Sequence, residues 1–179
     1  MDCSFTNQGC KGGYSVLVSK YYNEYGILPN ECYKKGVCHA KCTGKNEYLN
    51  SLKLKVKDYY YVGGHYGGTN EDNMFEELRK NGPFVVGIKT IRSFYQYSSG
   101  IFSEGKQKDK QRREWQNVNH SILLVGYGVD NGVEYWEIMN SWSARWGNGG
   151  FAKIKKGDNI MSIGSLGESA TVDLEEINF

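Results

Sequence analysis

The spacing of apolar residues predicts two helices in the first half of the chain. Between residues 11 and 25, apolar side chains recur every three or four positions, which places them along one face of a helix. Gly26 follows as a natural end point, because glycine readily adopts the backbone conformation that closes a helix. A second helix fits residues 71–81, with Thr69 or Asn70 as its cap and a Gly-Pro pair directly after it.

The later part of the chain is dominated by strand-like runs. These runs are rich in β-branched, aromatic and other apolar residues and are bounded by turn residues. The segment 59–70 begins in this way and then breaks at paired glycines. The other runs cover 84–90, 120–129, 134–142 and 150–156. Because helix comes first and strands later, with no internal repeat, the order of elements predicts an α+β fold.

A turn sequence joins two of these runs and sets which residues face each other. The Asp-Asn-Gly sequence at 130–132 lies between apolar runs and is a strong hairpin signal. With the turn centred on that sequence, His120 faces positions 141–143, so Asn140 lies within about two residues of register. A β-bulge can absorb that difference. The hairpin is therefore expected to bring an imidazole and a side-chain amide together at its open end.

This pairing has a chemical and a purely structural interpretation. An Asn that bonds one ring nitrogen of His fixes the tautomer and aims the other nitrogen outward, as an oriented base for a nucleophile requires. Trp142, two residues beyond Asn140, would then cover the pair. In the plainer alternative, His120 only ends a strand and Asn140 only caps a turn. The pattern alone favours the plainer alternative.

Composition and charge argue against several classes of partner. The formal net charge is +2, which does not suggest a dedicated nucleic-acid surface. The basic run 106–113 is short and contains an Asp, so it is interpreted as a solvated loop. No apolar stretch approaches the roughly 18 residues that a membrane span needs. We therefore expect neither a nucleic acid nor a membrane among the partners.

The cysteines are clustered and odd in number. Such clustering is typical of a disulfide framework in an oxidising compartment. A zinc site that includes His39 is the weaker alternative, because the spacing does not fit the usual paired ligand geometry. The N-terminus lacks the features of a signal peptide, so an upstream segment is expected to supply the export signal and a partner for the fifth cysteine. The five cysteines are Cys3, Cys10, Cys32, Cys38 and Cys42.

Several segments of the chain resemble those of papain-like cysteine proteases. "NHSILLVGYG" at 119–128 and "YWEIMNSWSARWGNGGF" at 135–151 are similar to the histidine and asparagine blocks of that family. "NQGCKGGY" at 7–14 resembles its Gly-Cys-x-Gly-Gly segment, and "FYQYSSGIF" at 94–102 resembles its stretch before the histidine. Within the family, "YYYVGGHYGG" at 59–68 is similar to a segment of the cathepsin C (dipeptidyl peptidase I) group that ordinary endopeptidases lack.

The resemblance implies a fold and a division of the chain. The expected architecture is the C-terminal portion of the α+β papain-like fold, as one partial peptidase domain over 1–179. Residues 1–57 would form the end of the helical left domain together with the cysteine-rich region. Residues 58–179 would form the mostly β right domain, which is antiparallel and barrel-like.

The resemblance also implies roles for individual residues. His120 resembles the general base, and Asn140 resembles the residue that orients it. Trp142 resembles the indole that shields this pair, and Trp146 resembles a second tryptophan that lines the primed side of the cleft. No metal is implied.

Substrate-binding residues are implied in the same way. Gly12 and Gly13 resemble glycines whose backbone pairs with the substrate main chain, where a side chain would block the approach. Tyr14 and Ile163 stand where residues that line the pocket for the second substrate side chain are expected.

Chloride and the disulfides complete what the resemblance implies. Tyr61 resembles one of two tyrosines around a chloride ion in the cathepsin C group, whereas Val16 stands at the position of the other. No cofactor is therefore required, and chloride is a secondary candidate. The family's disulfide pattern would join Cys3 to Cys38 and Cys32 to Cys42, and would pair Cys10 with a cysteine upstream of Met1.

The chain departs from the family pattern in two respects. The nucleophilic cysteine and the oxyanion glutamine belong to a block that is expected before residue 1, as does the exclusion domain of the cathepsin C group. Ser143 stands where the family usually has Gly after Asn-Ser-Trp. Because of the first departure, this chain carries the base of the catalytic pair, His120, without the thiol of the nucleophilic cysteine.

The expected function is that of a cysteine-type peptidase whose full-length parent removes dipeptides from N-termini. The chain alone is expected to be inactive, because the mechanism needs a thiolate. The alternative is an inactive pseudo-protease fragment that acts as a binding or regulatory module. Expected partners are peptide substrates and the N-terminal remainder of the protein, with a homo-oligomer of the parent as a further expectation. The expected location is the lysosome, the vacuole or the exterior of the cell.

Overall fold

The secondary structure consists of short helices followed by a sheet, in the predicted α+β order. A computed structural model describes residues 4–27, 54–105 and 117–173. The helices are α1 (Ser15–Tyr25), α2 (Glu71–Asn81) and α3 (Arg92–Tyr95), with 3-10 turns at Gly9–Lys11 and Ile160–Ser162. The strands are β1 (Lys55–Tyr61), β2 (Phe84–Ile88), β3 (Ile101–Phe102), β4 (His120–Asp130), β5 (Val133–Met139), β6 (Phe151–Lys155) and β7 (Gly167–Asp173).

The described residues fall into two compact units. One unit comprises those up to Tyr59 and from Ala170 onward, and the other is Tyr60–Ser169. No helix among the described residues is long and apolar enough to cross a membrane. The boundary after residue 57 between a left and a right domain, which the resemblance implies, stays a prediction.

In the first unit, α1 begins later than its apolar pattern predicts. The pattern starts the helix at residue 11, whereas α1 starts at Ser15. The reason is Gly12, whose φ of 113° lies outside the helical region, so that a separate 3-10 turn precedes it. Gly26 ends the helix as predicted, with φ of 74° and its N–H donated to the carbonyl of Tyr22 at 2.9 Å.

In the second unit, α2 has the predicted bounds. The side-chain oxygen of Asn70 accepts hydrogen bonds from the backbone N–H groups of Asp72 and Asn73. The side chain of Asn73 accepts from the N–H of Asn70 in return, which completes a capping box. Gly82, at φ 89°, ends the helix before the proline.

Within the described ranges the sheet has seven strands, and the hairpin of β4 and β5 lies near its centre. The strand order is β1-β7-β2-β4-β5-β6-β3. β4 pairs antiparallel with β2 and β5, and β5 pairs antiparallel with β6, whereas β3 pairs parallel with β6. The turn predicted at 130–132 is present: Asp130 pairs with Val133, and Asn131 and Gly132 have φ of 50° and 78°. Two successive positive φ values are what a two-residue type I′ turn requires.

Alternate residues of the central strands form the core of the second unit. Val86, Leu124, Ile138 and Ile154 are fully buried, one from each of four neighbouring strands. They pack in one cluster with Met74 of α2. This core fixes the strands whose ends carry the candidate site.

Several elements were missed or misjudged from the sequence. The run 134–142 was predicted as a strand throughout, but β5 ends at Met139 and the chain then turns into a loop. β1 begins at Lys55, before the aromatic run from which a strand was predicted. The short α3, the two-residue β3 and the polar β7 have no counterpart in the apolar pattern.

Candidate active site

The candidate site begins at His120, the first residue of β4. His120 lies opposite Ile88, the last residue of β2, and the N–H of Asn119 donates to the Ile88 carbonyl at 2.9 Å. The backbone that carries the imidazole is therefore held by the sheet. Its ring is only partly buried, so one part of it remains accessible.

A bulge in the hairpin brings Asn140 to the same place. Gly126 faces Glu137 across the hairpin, whereas Leu124 faces Ile138, so one additional residue is inserted in β4 between these pairs. The bulge shifts the pairing by one residue, so that the position opposite His120 comes closer to Asn140. Beyond β5, the N–H of Asn140 donates to the carbonyl of Gly150 at 2.9 Å, which anchors the start of the loop.

The two side chains form a direct hydrogen bond. Nε2 of His120 lies 2.9 Å from Oδ1 of Asn140. The same Oδ1 accepts the backbone N–H of Ser141 at 2.8 Å. Because an N–H group can only donate, this second bond requires oxygen rather than nitrogen at that position of the amide. Nε2 of the neutral imidazole must then carry the proton, and Nδ1 presents the lone pair.

An aromatic stack covers one face of the imidazole. The indole of Trp142 lies on the His120 ring at a centroid distance of 4.8 Å and an interplanar angle of 23°. The ring of Tyr95 lies on the indole at 4.7 Å and 9°. The stack keeps water from that face, which strengthens the hydrogen bond between His120 and Asn140.

Buried aromatic rings support the stack at its edges. Phe94 is fully buried and meets Trp142 edge-on at 6.0 Å and Trp146 at 5.1 Å. Trp146 also meets Trp142 at 5.3 Å and 84°, and its Nε1–H donates to the Phe94 carbonyl at 3.2 Å. Trp146 is 8% exposed, so most of this ring serves packing and only its margin is available to a ligand.

The chain is similar to a known family of proteins over most of its length. A model described as papain family cysteine protease matches residues 1–171. The chain belongs to this family.

Its relatives include proteins of an animal and of a plant. The chain is 38% identical over 173 residues to cathepsin C of Schistosoma mansoni, covering 93% of this chain and 37% of that protein. It is 33% identical to the oryzain gamma chain of Oryza sativa subsp. japonica, covering 91% of this chain and 43% of the relative. The chain therefore spans about two fifths of the length of these curated relatives.

Solved structures show the same fold. Procathepsin L 3 from the larval midgut of Tenebrio molitor superposes with a TM-score of 0.74 at 28% identity, over 95% of this chain and 53% of that chain. Bromelain from Ananas comosus, solved with the E64 inhibitor, gives 0.73 at 27% identity, over 95% and 74% of the two chains. The architecture is that of a papain-like protease, as the sequence predicted.

The loop after Asn140 contains the residue that departs from the family pattern. Ser143 has φ of 75°, in the left-handed region where Gly is normally favoured. The loop nevertheless closes: the N–H of Trp146 donates to the Ser143 carbonyl at 3.2 Å, and the N–H of Gly150 donates to the Trp146 carbonyl at 2.8 Å. Ser143 thus holds a costly backbone conformation in this papain-family loop, while Asn140 keeps its hydrogen bond to His120.

The first unit holds the glycines that were predicted to meet substrate. The side chain of Asn7 accepts the N–H of Tyr14 at 2.8 Å and fills the place that a Cβ on Gly13 would need. Among the described residues, the N–H and C=O of Gly13 have no hydrogen-bond partner. Tyr14 is 54% exposed.

The remaining predicted residues differ in accessibility. Ile163 is fully buried in the core of the second unit, and Tyr61 is partly buried with its ring edge-on to Tyr66 at 5.2 Å. Their expected roles at a substrate pocket and at a chloride ion stay predictions. Val16 lies in the first unit, on α1.

The cysteine predictions fall mostly on residues outside the described part of the chain. Cys3, Cys32, Cys38, His39 and Cys42 lie there, and with them both predicted disulfides and the zinc alternative. Cys10 is exposed and unpaired among the described residues. Residues 4–27, 54–105 and 117–173 contain no group of three or more His, Cys, Asp or Glu side chains arranged to hold a metal ion.

The sequence did not point to the polar residues beside the stack. Oδ1 of Asn119 accepts hydrogen bonds from the N–H and the hydroxyl of Thr90, and the Thr90 hydroxyl also meets the hydroxyl of Tyr95. The only available signal was the position of Asn119 directly before His120. The contacts depend on α3, which the apolar pattern did not predict.

Proposed function

We propose that this chain is the base-bearing portion of a cysteine peptidase of the cathepsin C type, in which His120 is the general base and Asn140 orients it. The nucleophilic thiol would come from a segment outside these 179 residues. The observation that carries the proposal is the 2.9 Å bond between His120 Nε2 and Asn140 Oδ1, since it leaves Nδ1 as the nitrogen that exchanges protons with a thiol.

The proposed chemistry follows from this orientation. Nδ1 takes the thiol proton, and the resulting thiolate attacks the carbonyl carbon of the scissile peptide bond. The imidazolium then returns the proton to the leaving amine nitrogen as the C–N bond breaks, which leaves a thioester. In the second half, Nδ1 takes a proton from water while the water oxygen attacks the thioester carbon. The C–S bond then breaks, the carboxyl product leaves, and the imidazolium returns its proton to the thiolate sulfur.

Substrate binding is proposed for the glycine segment of the first unit. The peptide group of Gly13 is available to pair with an extended substrate main chain, because neither its N–H nor its C=O is used among the described residues. Tyr14, adjacent and 54% exposed, is proposed to contact the second substrate side chain.

Removal of N-terminal dipeptides is proposed for the full-length parent. Two observations support it: the segment 59–68 has the pattern of the cathepsin C group, and a protein named cathepsin C is 38% identical over 93% of this chain. We propose peptides with a free N-terminus as substrates, and an N-terminal remainder with exclusion or pro domain as the intramolecular partner. The same proposal has three further parts. The parent would form a homo-oligomer, and it would be lysosomal, vacuolar or secreted. It could also hold a chloride ion near Tyr61.

An inactive binding module is the competing function, and Ser143 is the feature that favours it. Ser143 has a positive φ where the family pattern usually has Gly, and relaxed constraint on a catalytic loop would account for a Ser at this position. The contacts of His120, Asn140 and Trp142 are nevertheless all in place. Retention of an oriented base favours the peptidase.

Activity of the complete protein tests the proposal. The protein encoded by the full transcript should release a fluorophore from a dipeptide substrate with a free amine but not from its N-acetylated counterpart. His120→Ala should lower kcat/KM by about 10³-fold, within the range known for a general base. His65→Ala, which alters an exposed histidine of the same unit, should leave kcat/KM unchanged. Cleavage by the 179-residue chain alone, or full activity of His120→Ala, would overturn the proposal.

A further inference from the structure

We propose that Tyr95 is a positioning residue for His120 and acts through two separate routes, one through Trp142 and one through Thr90 and Asn119. The inference rests on the proposed function only for its effect on catalysis. The positioning itself is a property of the described residues, all of which lie in the second unit.

The first route is the aromatic stack. Trp142 is held between two rings, with His120 on one side at 4.8 Å and Tyr95 on the other at 4.7 Å. The neighbouring Phe94 and Trp146 touch the indole only edge-on. Without Tyr95, the indole would lose its nearly parallel partner on the side away from the imidazole, and with it the stabilisation that such a ring pair adds beyond the area it buries.

The exposure of Tyr95 indicates that its ring is not there to fill the core. Tyr95 is 57% exposed, whereas the adjacent Phe94 is fully buried and belongs to the core cluster. The ring of Tyr95 is nevertheless almost parallel to the indole, at 9°. The short helix α3 therefore uses Phe94 for packing and leaves Tyr95 against Trp142.

The second route is a directed chain of hydrogen bonds. The hydroxyl of Thr90 donates to Oδ1 of Asn119 at 3.0 Å. Since that hydroxyl has a single proton, its contact with Tyr95 at 3.2 Å requires the Tyr95 hydroxyl to be the donor. Tyr95 thus fixes the orientation of Thr90, and Thr90 fixes the side chain of Asn119 through its hydroxyl and its N–H at 2.9 Å.

The two routes meet at His120 and close a ring of contacts. Asn119 directly precedes His120, and its N–H is bonded to the Ile88 carbonyl at 2.9 Å. The backbone before the imidazole is therefore held from one direction and the face of the imidazole from another, with Tyr95 common to both. If the His120 side chain rotated away from Asn140, it would have to displace the Trp142 indole. The contact of Tyr95 with the indole resists that displacement.

The hydrogen on Nε2 of His120 provides the test. The chain has three histidines, so the ring nitrogens can be followed individually by NMR of ¹⁵N-histidine-labelled protein. In the unchanged chain, His120 should be the Nε2–H tautomer with slow solvent exchange. Tyr95→Ala should speed that exchange by about fivefold or more, the effect expected for loss of one well-placed ring contact. Tyr95→Phe and Thr90→Val, which remove only hydroxyl groups, should give smaller increases.

A matched tyrosine separates positioning from general packing. Tyr127 is 49% exposed and also contacts one aromatic ring, that of Phe75 at 4.7 Å, but takes no part in the ring of contacts at His120. Tyr127→Ala should leave the His120 exchange rate unchanged. In the complete peptidase, Tyr95→Ala should lower kcat with little change in KM, because positioning acts on the reacting groups and not on substrate affinity.

The outcomes distinguish this inference from the proposed function. Absence of the Nε2–H tautomer in the unchanged chain would remove the basis of the proposed function. A normal tautomer whose exchange is unaffected by Tyr95→Ala and by Thr90→Val would overturn the positioning role alone. A rise in KM without a fall in kcat would likewise overturn it, since it would make Tyr95 a substrate contact. The isosteric Thr90→Val variant keeps the test decisive if Tyr95→Ala fails to fold.

Discussion

The imidazole of His120 and the amide of Asn140 meet at 2.9 Å although they lie at the two outer ends of one hairpin. Their meeting depends on the backbone, because the turn at Asn131-Gly132 fixes the register and one bulge residue corrects it. The pair is therefore built by the sheet, and the loop beyond Asn140 has only to hold the amide in place.

Replacement of Asn140 by Ala should disorder the base without unfolding the sheet. The His120 ring would lose the acceptor that selects the Nε2–H tautomer, so we expect kcat/KM of the complete peptidase to fall by about tenfold or more. The tautomer should be read by NMR of the same variant. Asn148→Ala is the control, since Asn148 lies in the same loop and is bonded there through its backbone. Equal losses in the two variants would contradict the assigned role.

Restoring Gly at position 143 should stabilise the chain. Ser143 has φ of 75°, a conformation that a residue with a Cβ adopts at a cost. We expect Ser143→Gly to raise the free energy of unfolding by about 0.5–1 kcal/mol, after allowance for the greater flexibility of Gly in the unfolded chain. Ser141→Gly, two residues earlier and without a positive φ, should lower it. The check is urea denaturation, and destabilisation by Ser143→Gly would show that the Ser side chain is required.

Neutralising Glu71 should loosen the segment that follows β6. Its two carboxylate oxygens accept the N–H groups of Gly157 at 2.6 Å and of Asn159 at 2.9 Å. A Gln has only one oxygen, so Glu71→Gln must leave one N–H facing an amide NH₂, at a cost of about 1–2 kcal/mol. Asp72→Asn, at the exposed neighbouring position, is the control. A free energy of unfolding that is the same for both variants would refute the expectation.

Tyr60 should make the second unit sensitive to alkaline pH. Burial raises the pKa of its hydroxyl above 10.0, and the hydrogen-bonded carboxylate of Glu77 raises it further. The stability that depends on the protonated hydroxyl is fully present below about pH 10 and is lost as the pH rises towards the higher pKa of the folded state. Tyr60→Phe should therefore flatten the decline of the unfolding midpoint above about pH 10. Glu77→Gln should flatten it partly, and a decline equal to that of the unchanged chain would contradict the prediction.

Local signals in the sequence were sufficient for the elements that hold the pair. The cap of α2 and the turn at Asn131-Gly132 are properties of short segments: the sequence predicted the turn at its position and left the cap between Thr69 and Asn70, of which the structure uses Asn70. The family resemblance then supplied the meaning of His120 and Asn140. The hydrogen bond between them follows from register, which the turn alone nearly determines.

Elements that depend on distant partners could not be predicted in this way. β3 is only Ile101 and Phe102, and it exists because it pairs parallel with Lys153 and Ile154 of β6. β7 is rich in small and polar residues and lacks an apolar alternation. The ring of contacts around His120 could not be predicted either, because Asn119 is distant in sequence from Thr90 and Tyr95, and the three come together only in the folded sheet.

The sequence of the transcript upstream of the codon for Met1 tests the central claim most directly. If this chain supplies the base for a thiol carried elsewhere in the same protein, the reading frame should continue upstream into a Gln-containing block and a Cys-Gly-Ser-Cys block. The residues around His120 would then form half of an active site. An in-frame stop codon directly before Met1, or Ser or Gly in place of the nucleophilic cysteine, would contradict the claim and leave a module without peptidase activity.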